Sequence, residues 1–171
     1  MCAAKAKKGQ KTLDNLQQAL SMELTAVHQY MLHAHVLEDW GLDRLSTKMH
    51  GEVQEELGHA GQFIDRILFL DGDPVVTEAK SAKRSNSLGD MFKADLKEEV
   101  ASIQFYGKAA IEARDEGDVG TVHIFEAILM DEEGHADWLK RQLELIERMG
   151  EPNYILAYHT PDTGESPDTG E

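Results

Sequence analysis

The chain has 171 residues, of which 41% are hydrophobic and 29% charged, the composition of an ordinary globular domain with a real core. Its 32 acidic residues against 17 basic ones give a net charge of −15, which argues against nucleic acid as a main partner, because phosphate binding needs a basic face. A single cysteine, Cys2, excludes an internal disulfide and a thiolate metal cage.

No apolar run approaches a membrane span. The N-terminal stretch "MCAAKAKKGQK" has positive charge but no apolar segment behind it, so it does not read as a secretory leader. We expect a loose basic arm over residues 1–11 and a cytoplasmic protein with no membrane partner.

Four apolar periodicities of three and four follow along the chain. The first begins after Thr12, read as an N-cap with Asp14 in the first turn, and carries Leu13, Leu16, Leu20, Leu24, Val27 and Met31 as far as Gly41. The second carries Leu45, Met49, Val53, Leu57, Ile64 and Ile67 and ends at "LDGDP". The third follows the cap signals "SNS", carries Phe92, Leu96, Ile103 and Tyr106, and stops at "RDEGDVG". The fourth carries Val122, Phe125, Leu129, Leu139 and Leu143 and ends at Met149-Gly150. Each is about 28 to 32 residues long, a bundle length, and strand signals are absent. The connection 71–87 is long enough for a simple turn or for a run along the whole bundle. "EPNYILAYH" reads as a short fifth helix with Pro152 in its first turn. The closing "PDTGESPDTGE" cannot bury a core, so disorder is expected over 161–171 and a single domain over 1–160.

Within these helices lies a repeated pattern. "EELGHAG" holds Glu56 and His59, and "DEEGHAD" holds Glu132 and His135; each pair is three apart and so shares a helix face. Glu23 and Glu99 stand on the apolar stripes of helices one and three. Glu56 and Glu132 also sit seven residues from core side chains on either side. Glu23 and Glu56 are separated by 33 residues, as are Glu99 and Glu132. An offset of 76 relates Glu23 to Glu99, Glu56 to Glu132 and His59 to His135. If each half is an antiparallel hairpin, both glutamate pairs lie about 16 residues, roughly 25 Å, from their own turn. All six side chains would then meet at mid-bundle. Four carboxylates in a core are costly unless cations cancel their charge, and two divalent ions would do so. Oxygen and imidazole donors without thiolate suit iron or manganese, and zinc less exclusively. The same constellation on four helices marks the ferritin-like di-iron and di-manganese proteins.

Taken with "HQYMLHA", "DWGLDRL", "IDRILFLDGDP" and "MGEPNYILA", the pattern resembles the bacterioferritin family over about residues 13–158. The resemblance implies an all-α, ferritin-like four-helix bundle with a long crossover between helices two and three and a short fifth helix. It implies a non-haem di-iron ferroxidase centre, with Glu23 and Glu99 as terminal ligands, Glu56 and Glu132 as bridges, and His59 and His135 each capping one metal. Fe(II) would be oxidised by O2 or H2O2 and deposited as a ferric mineral in a hollow homo-oligomeric shell of 24 subunits. The competing reading is a small di-iron or di-manganese oxidase or peroxidase that stores nothing.

Tyr30, seven after Glu23, should stand at the same level; in the family a tyrosine there lies by the metals as an electron source, and Trp138 is a second candidate. Glu52, one turn before Glu56, could assist iron ingress. One position departs from the family pattern. Bacterioferritins usually carry, after the first Glu-x-x-His glutamate, a methionine that ligates haem b at a subunit interface. Here that residue is Leu57, which has no lone pair to offer. The chain alone is expected not to bind haem in the usual way, or to do so only in a shell shared with a second, Met-bearing subunit.

Overall fold

The structure is a computed structural model, and it describes residues 9–158, with the side chain of Tyr158 not described. Lys5, Lys7 and Lys8 of the basic arm, Cys2 and the 161–171 tail lie outside the described residues. Five helices follow in order: α1 Gln10–Asp39, α2 Asp43–Phe69, α3 Leu88–Glu116, α4 Val119–Met149 and α5 Glu151–Tyr158. No strand occurs among the described residues. No described helix is long and apolar enough to cross a membrane.

The helix ends follow local rules. At the α1–α2 and α3–α4 turns, Gly41 (φ 73°) and Gly117 (φ 80°) take the left-handed position that L side chains avoid. The next N–H then reaches back to close the turn: Leu42 donates to the Leu37 carbonyl at 2.8 Å, and Asp118 to that of Ala113 at 2.9 Å. Ser87 caps α3 by accepting from Asp90 N at 3.1 Å, as the "SNS" signal indicates.

The start of α1 differs from expectation. It begins at Gln10 behind a left-handed Gly9, so Thr12 is no cap. Its hydroxyl is buried in the first turn and donates instead to Glu116 at 2.6 Å. Gln10 and Lys11, assigned from sequence to the arm, thus belong to the helix.

Cross-contacts give the topology. Asn15 meets Glu112 and His33 meets Asp95, so α1 and α3 are antiparallel. Arg66 meets Thr121, and Glu52 meets His135, so α2 and α4 are antiparallel as well. With two antiparallel hairpins, α2 and α3 must point the same way. The connection therefore runs the length of the bundle, which decides between the two routes open to residues 71–87. It lies along α1 in the same direction and is tied there by side chains. Gln17 brackets Val75 through its amide, donating to its carbonyl at 2.7 Å and accepting its N–H at 2.8 Å. Thr25 Oγ1 accepts from Ala79 N at 2.9 Å, and Gln29 brackets Lys83 with two bonds of 2.9 Å.

The core comes in two apolar parts. One gathers Leu37, Met49, Met91, Phe92 and Tyr154 at the end where α5 folds back, and the other gathers Leu20, Phe63, Ile67, Tyr106 and Phe125. Glu151 of α5 accepts from the N–H groups of Leu88 and Gly89, both at 3.1 Å, and so covers the start of α3. Between the two apolar parts lies a polar layer, and that layer is the site.

The strap is the element held most by polar bonds and least by core packing. Each such bond contributes about 1 kcal/mol. Replacing Gln17 and Gln29 together by alanine should speed amide exchange at Val75 and Lys83 by about fivefold each and leave mid-helix amides unchanged, as hydrogen-exchange mass spectrometry or NMR would read.

Candidate metal centre

Each of the four long helices contributes to the polar layer. α1 supplies Glu23, α2 supplies Glu56 and His59, α3 supplies Glu99, and α4 supplies Glu132 and His135. All six are buried, between 1 and 8% exposed. The structure brings together every residue of the expected set.

They form two interlocked groups. Glu23, Glu56, His59 and Glu132 place one ligand atom each within 4.8 Å of one another, and Glu56, Glu99, Glu132 and His135 do the same. Glu56 and Glu132 belong to both groups, so they stand where bridging carboxylates would. Each histidine turns Nδ1 inward. His59 Nδ1 lies 3.1 Å from Glu56, 3.5 Å from Glu132 and 3.6 Å from Glu23. His135 Nδ1 lies 3.0 Å from Glu132, 3.4 Å from Glu56 and 4.0 Å from Glu99.

The outward Nε2 atoms meet a second ring of carboxylates. His59 Nε2 is 3.4 Å from Asp131; His135 Nε2 is 2.9 Å from Glu52 and 3.4 Å from Glu55. Such partners orient a ligating imidazole. Glu52 is therefore buried at the site's edge rather than solvated, and Lys48 pairs with it.

Two tyrosines cross the layer. Tyr30 of α1 donates to Glu99 of α3, and Tyr106 of α3 donates to Glu23 of α1. Tyr30 thus stands by the site as expected, but its partner is Glu99, across the bundle. Tyr106 was read from sequence only as a core residue. The signal for it was present: Tyr30 and Tyr106 are related by the same 76-residue offset as the ligands. Trp138 packs edge-on against Phe92 at 5.6 Å between centroids, with the Lys48 ammonium 5.4 Å from its own ring centre. It shares a small cleft with Tyr30 and His135.

The electrostatics are those of a site built for cations. Burial, with neighbouring carboxylates adding to it, holds Glu23 and Glu99 well above the usual carboxylate range. Burial acts in the same direction on Glu56, but contacts with His135, His59 and Glu23 outweigh it and bring Glu56 down to about 2. Glu132 is lowered in the same way, against its burial, by His135 and His59. For the histidines burial disfavours the proton, yet the surrounding glutamates overcome it. Contacts with Glu132, Glu23 and Glu56 raise His59 to about 12, and contacts with Glu132 and Glu56 raise His135 to about 11. Burial and the facing glutamates push both tyrosines up, so they remain neutral donors.

The layer thus favours protons on Glu23, Glu99 and both histidines and the ionised form of Glu56 and Glu132. Glu56 Oε1 and Glu52 Oε2 are buried without a hydrogen-bond partner; His135 is near both, in the geometry of an ion pair only. An orphaned carboxylate oxygen between two ligand sets fits a cation. A cavity of about 760 Å³ leads to the layer between α1, α3 and the strap, lined by Thr25, Ser102, Ala79 and Lys80 and floored by the four glutamates.

Divalent cations entering this layer would compete with the protons that Glu23, Glu99, His59 and His135 favour. Binding of Zn2+ or Fe2+ at pH 7 should therefore release protons, and affinity should fall as pH is lowered. A pH-indicator titration in weak buffer measures this. Release near zero would mean that the metals bind elsewhere.

With this geometry in view, the comparisons with known proteins are direct. The ferritin-like domain family matches residues 13–149. The chain is 36% identical to a bacterioferritin of Rhodobacter capsulatus over 151 residues, covering 88% of this chain and 94% of that one. It is 37% identical to a bacterioferritin of Brucella melitensis over 144 residues, covering 84% and 89% of the two chains. It is 37% identical to one of Streptomyces coelicolor over 143 residues, covering 84% and 86%. Matched along nearly its whole described length, and carrying Glu-x-x-His on α2 and again on α4, the chain belongs to the bacterioferritin family of ferritin-like proteins.

Proposed function

We propose that the chain is an iron-storage subunit that oxidises Fe(II) with O2 or H2O2 at the layer described above and passes Fe(III) to a mineral inside a closed homo-oligomeric shell of 24 copies. The observation that carries this reading is the double membership of Glu56 and Glu132. Two ligand sets that share two carboxylates would suit two ions side by side. In the proposed centre Glu23 and His59 complete one position, and Glu99 and His135 the other. Two iron ions held in this way supply two electrons to a single oxidant molecule.

The chain's own groups do the rest. Tyr106 and Tyr30 steady the terminal carboxylates by donating to Glu23 and Glu99. With metal bound and Glu99 ionised, Tyr30 could pass one further electron to O2 or H2O2 at the centre, its phenolic proton going to Glu99. Glu52, Glu55 and Asp131 keep the imidazoles turned inward through their outer nitrogens. The cavity beneath the strap gives substrate and oxidant a way in. A net charge of −15 draws cations toward the protein and repels nucleic acid. We place the shell in the cytoplasm.

Haem does not fit this chain in the family's usual manner. Leu57 sits on the outer face of α2, 45% exposed, and offers no sulfur. Met49 is fully buried and cannot replace it. A mixed shell containing Met-bearing subunits would restore part of the haem sites.

Two experiments test the reading. Purified protein given excess Fe(II) in air, then separated by size, should carry iron far above about two atoms per subunit in a large particle. A ceiling near two on a small oligomer would instead support a di-metal oxidase without storage. Glu56→Ala and His135→Ala should each cut the initial rate of Fe(II) oxidation by about tenfold or more with assembly retained. Unchanged kinetics in both would remove this layer from the mechanism. Separately, Leu57→Met should install haem with a bis-methionine absorption spectrum in haem-replete cells, whereas the unmodified chain should lack that spectrum.

A further inference from the structure

A second group of ligand-type side chains lies outside this layer. His35 and Glu38 are three apart on the last turns of α1, and His50 faces them from the second turn of α2. The two imidazoles meet edge to face, with ring centres 5.3 Å apart and planes at 86°. His35 Nδ1 lies 3.4 Å from Glu38 Oε2. One ligand atom from each of the three residues falls within 4.8 Å of the other two, and all three side chains are exposed. None touches the buried layer. His50 precedes Glu56 by six residues, which is about 9 Å along the axis of α2.

We propose that His35, Glu38 and His50, exposed on the single chain, form a site for one divalent transition ion of the iron-to-zinc series on the outer face of the α1–α2 hairpin. The donor set decides the class. Two imidazole nitrogens and one carboxylate oxygen favour zinc, iron, nickel or copper over magnesium and calcium, which prefer all-oxygen shells. Three protein donors leave the remaining positions to water, so the ion is exchangeable rather than locked in. Donors around a tetrahedral ion stand about 3.3 Å apart for bonds of about 2.0 Å, so the three side chains need to close in by roughly 1 Å. They are exposed and have rotamer freedom to do so. The backbone supplies the rest. The α1–α2 turn, closed at Gly41, fixes the two helices side by side, and the His-x-x-Glu spacing puts two donors on one face of α1. Without a metal, an exposed polar contact and an exposed ring contact of this kind contribute little to stability.

The test is metal stoichiometry on the full-length, assembled protein, which does not depend on the oxidation chemistry. Equilibrium dialysis against Zn2+ should show His35→Gln/His50→Gln binding about one ion per chain fewer than the unmodified protein, at equal particle size. The initial rate of Fe(II) oxidation should be the same in both. Equal Zn2+ stoichiometry overturns the proposal. A readout that needs no variant is a crystal of the unmodified protein soaked in Zn2+. An anomalous-scattering peak among His35, Glu38 and His50 supports the site, and no peak there overturns it.

Discussion

Placing four carboxyl groups at the centre of a helical bundle is the constraint on which the structure depends. Left ionised and alone, they would oppose folding strongly, since each buried charge loses its water. The chain meets this in two ways that share the same atoms. Protons serve on one side: burial favours them on Glu23 and Glu99, and the glutamates favour them on His59 and His135. Divalent cations would serve in their place, held by the same atoms. The apolar cores on either side hold the four helices together around the layer.

The architecture follows from the near repetition of one hairpin. Each hairpin carries one Glu on its first helix and Glu-x-x-His on its second, and each closes on a glycine in the left-handed region. The second hairpin is turned over relative to the first, as the pairing of Asn15 with Glu112 and of His33 with Asp95 requires. Thus α3 lies antiparallel to α1, and the connection has to travel the length of the bundle. The strap is the covalent consequence of the pseudo-twofold arrangement. Its bonds to Gln17, Thr25 and Gln29 use the polar face of α1, so the helix buries one side at the core and holds the strap with the other.

That division explains what could be read in the sequence. Core stripes and the ligand set rest on periodicity, so the four long helices and the six ligand-type residues were legible, down to the 76-residue offset. The route of residues 71–87 was not, because Gln17 and Gln29 look like any solvated glutamine until the strap is beside them. Thr12 was misassigned for a similar reason. A threonine before an apolar run is a good cap signal, but Gly9 had already turned the chain, and a remote partner, Glu116, took the hydroxyl. Tyr106 was hidden by its own neighbours. An aromatic on an apolar stripe reads as packing, and only the offset from Tyr30 marks its hydroxyl as functional.

The repetition is also incomplete, and the differences fall at the outer nitrogens of the histidines. Glu55 has a counterpart in Asp131, 76 residues on, but the residue matching Glu52 is Ile128, which is buried in the apolar core. His135 is thus paired with a buried carboxylate at 2.9 Å, itself paired with Lys48, while the carboxylates beside His59, Asp131 at 3.4 Å and Glu55, are exposed. A carboxylate behind an imidazole makes it a better donor, and burial strengthens the effect. The two halves of the layer are therefore unequal by construction. Were two ions held there, the one beside His135 would have the imidazole with the buried carboxylate behind it, and the one beside His59 would have the imidazole whose outer partner faces solvent. The asymmetry lies in the outer partners, because the six ligand-type residues themselves keep the 76-residue repeat.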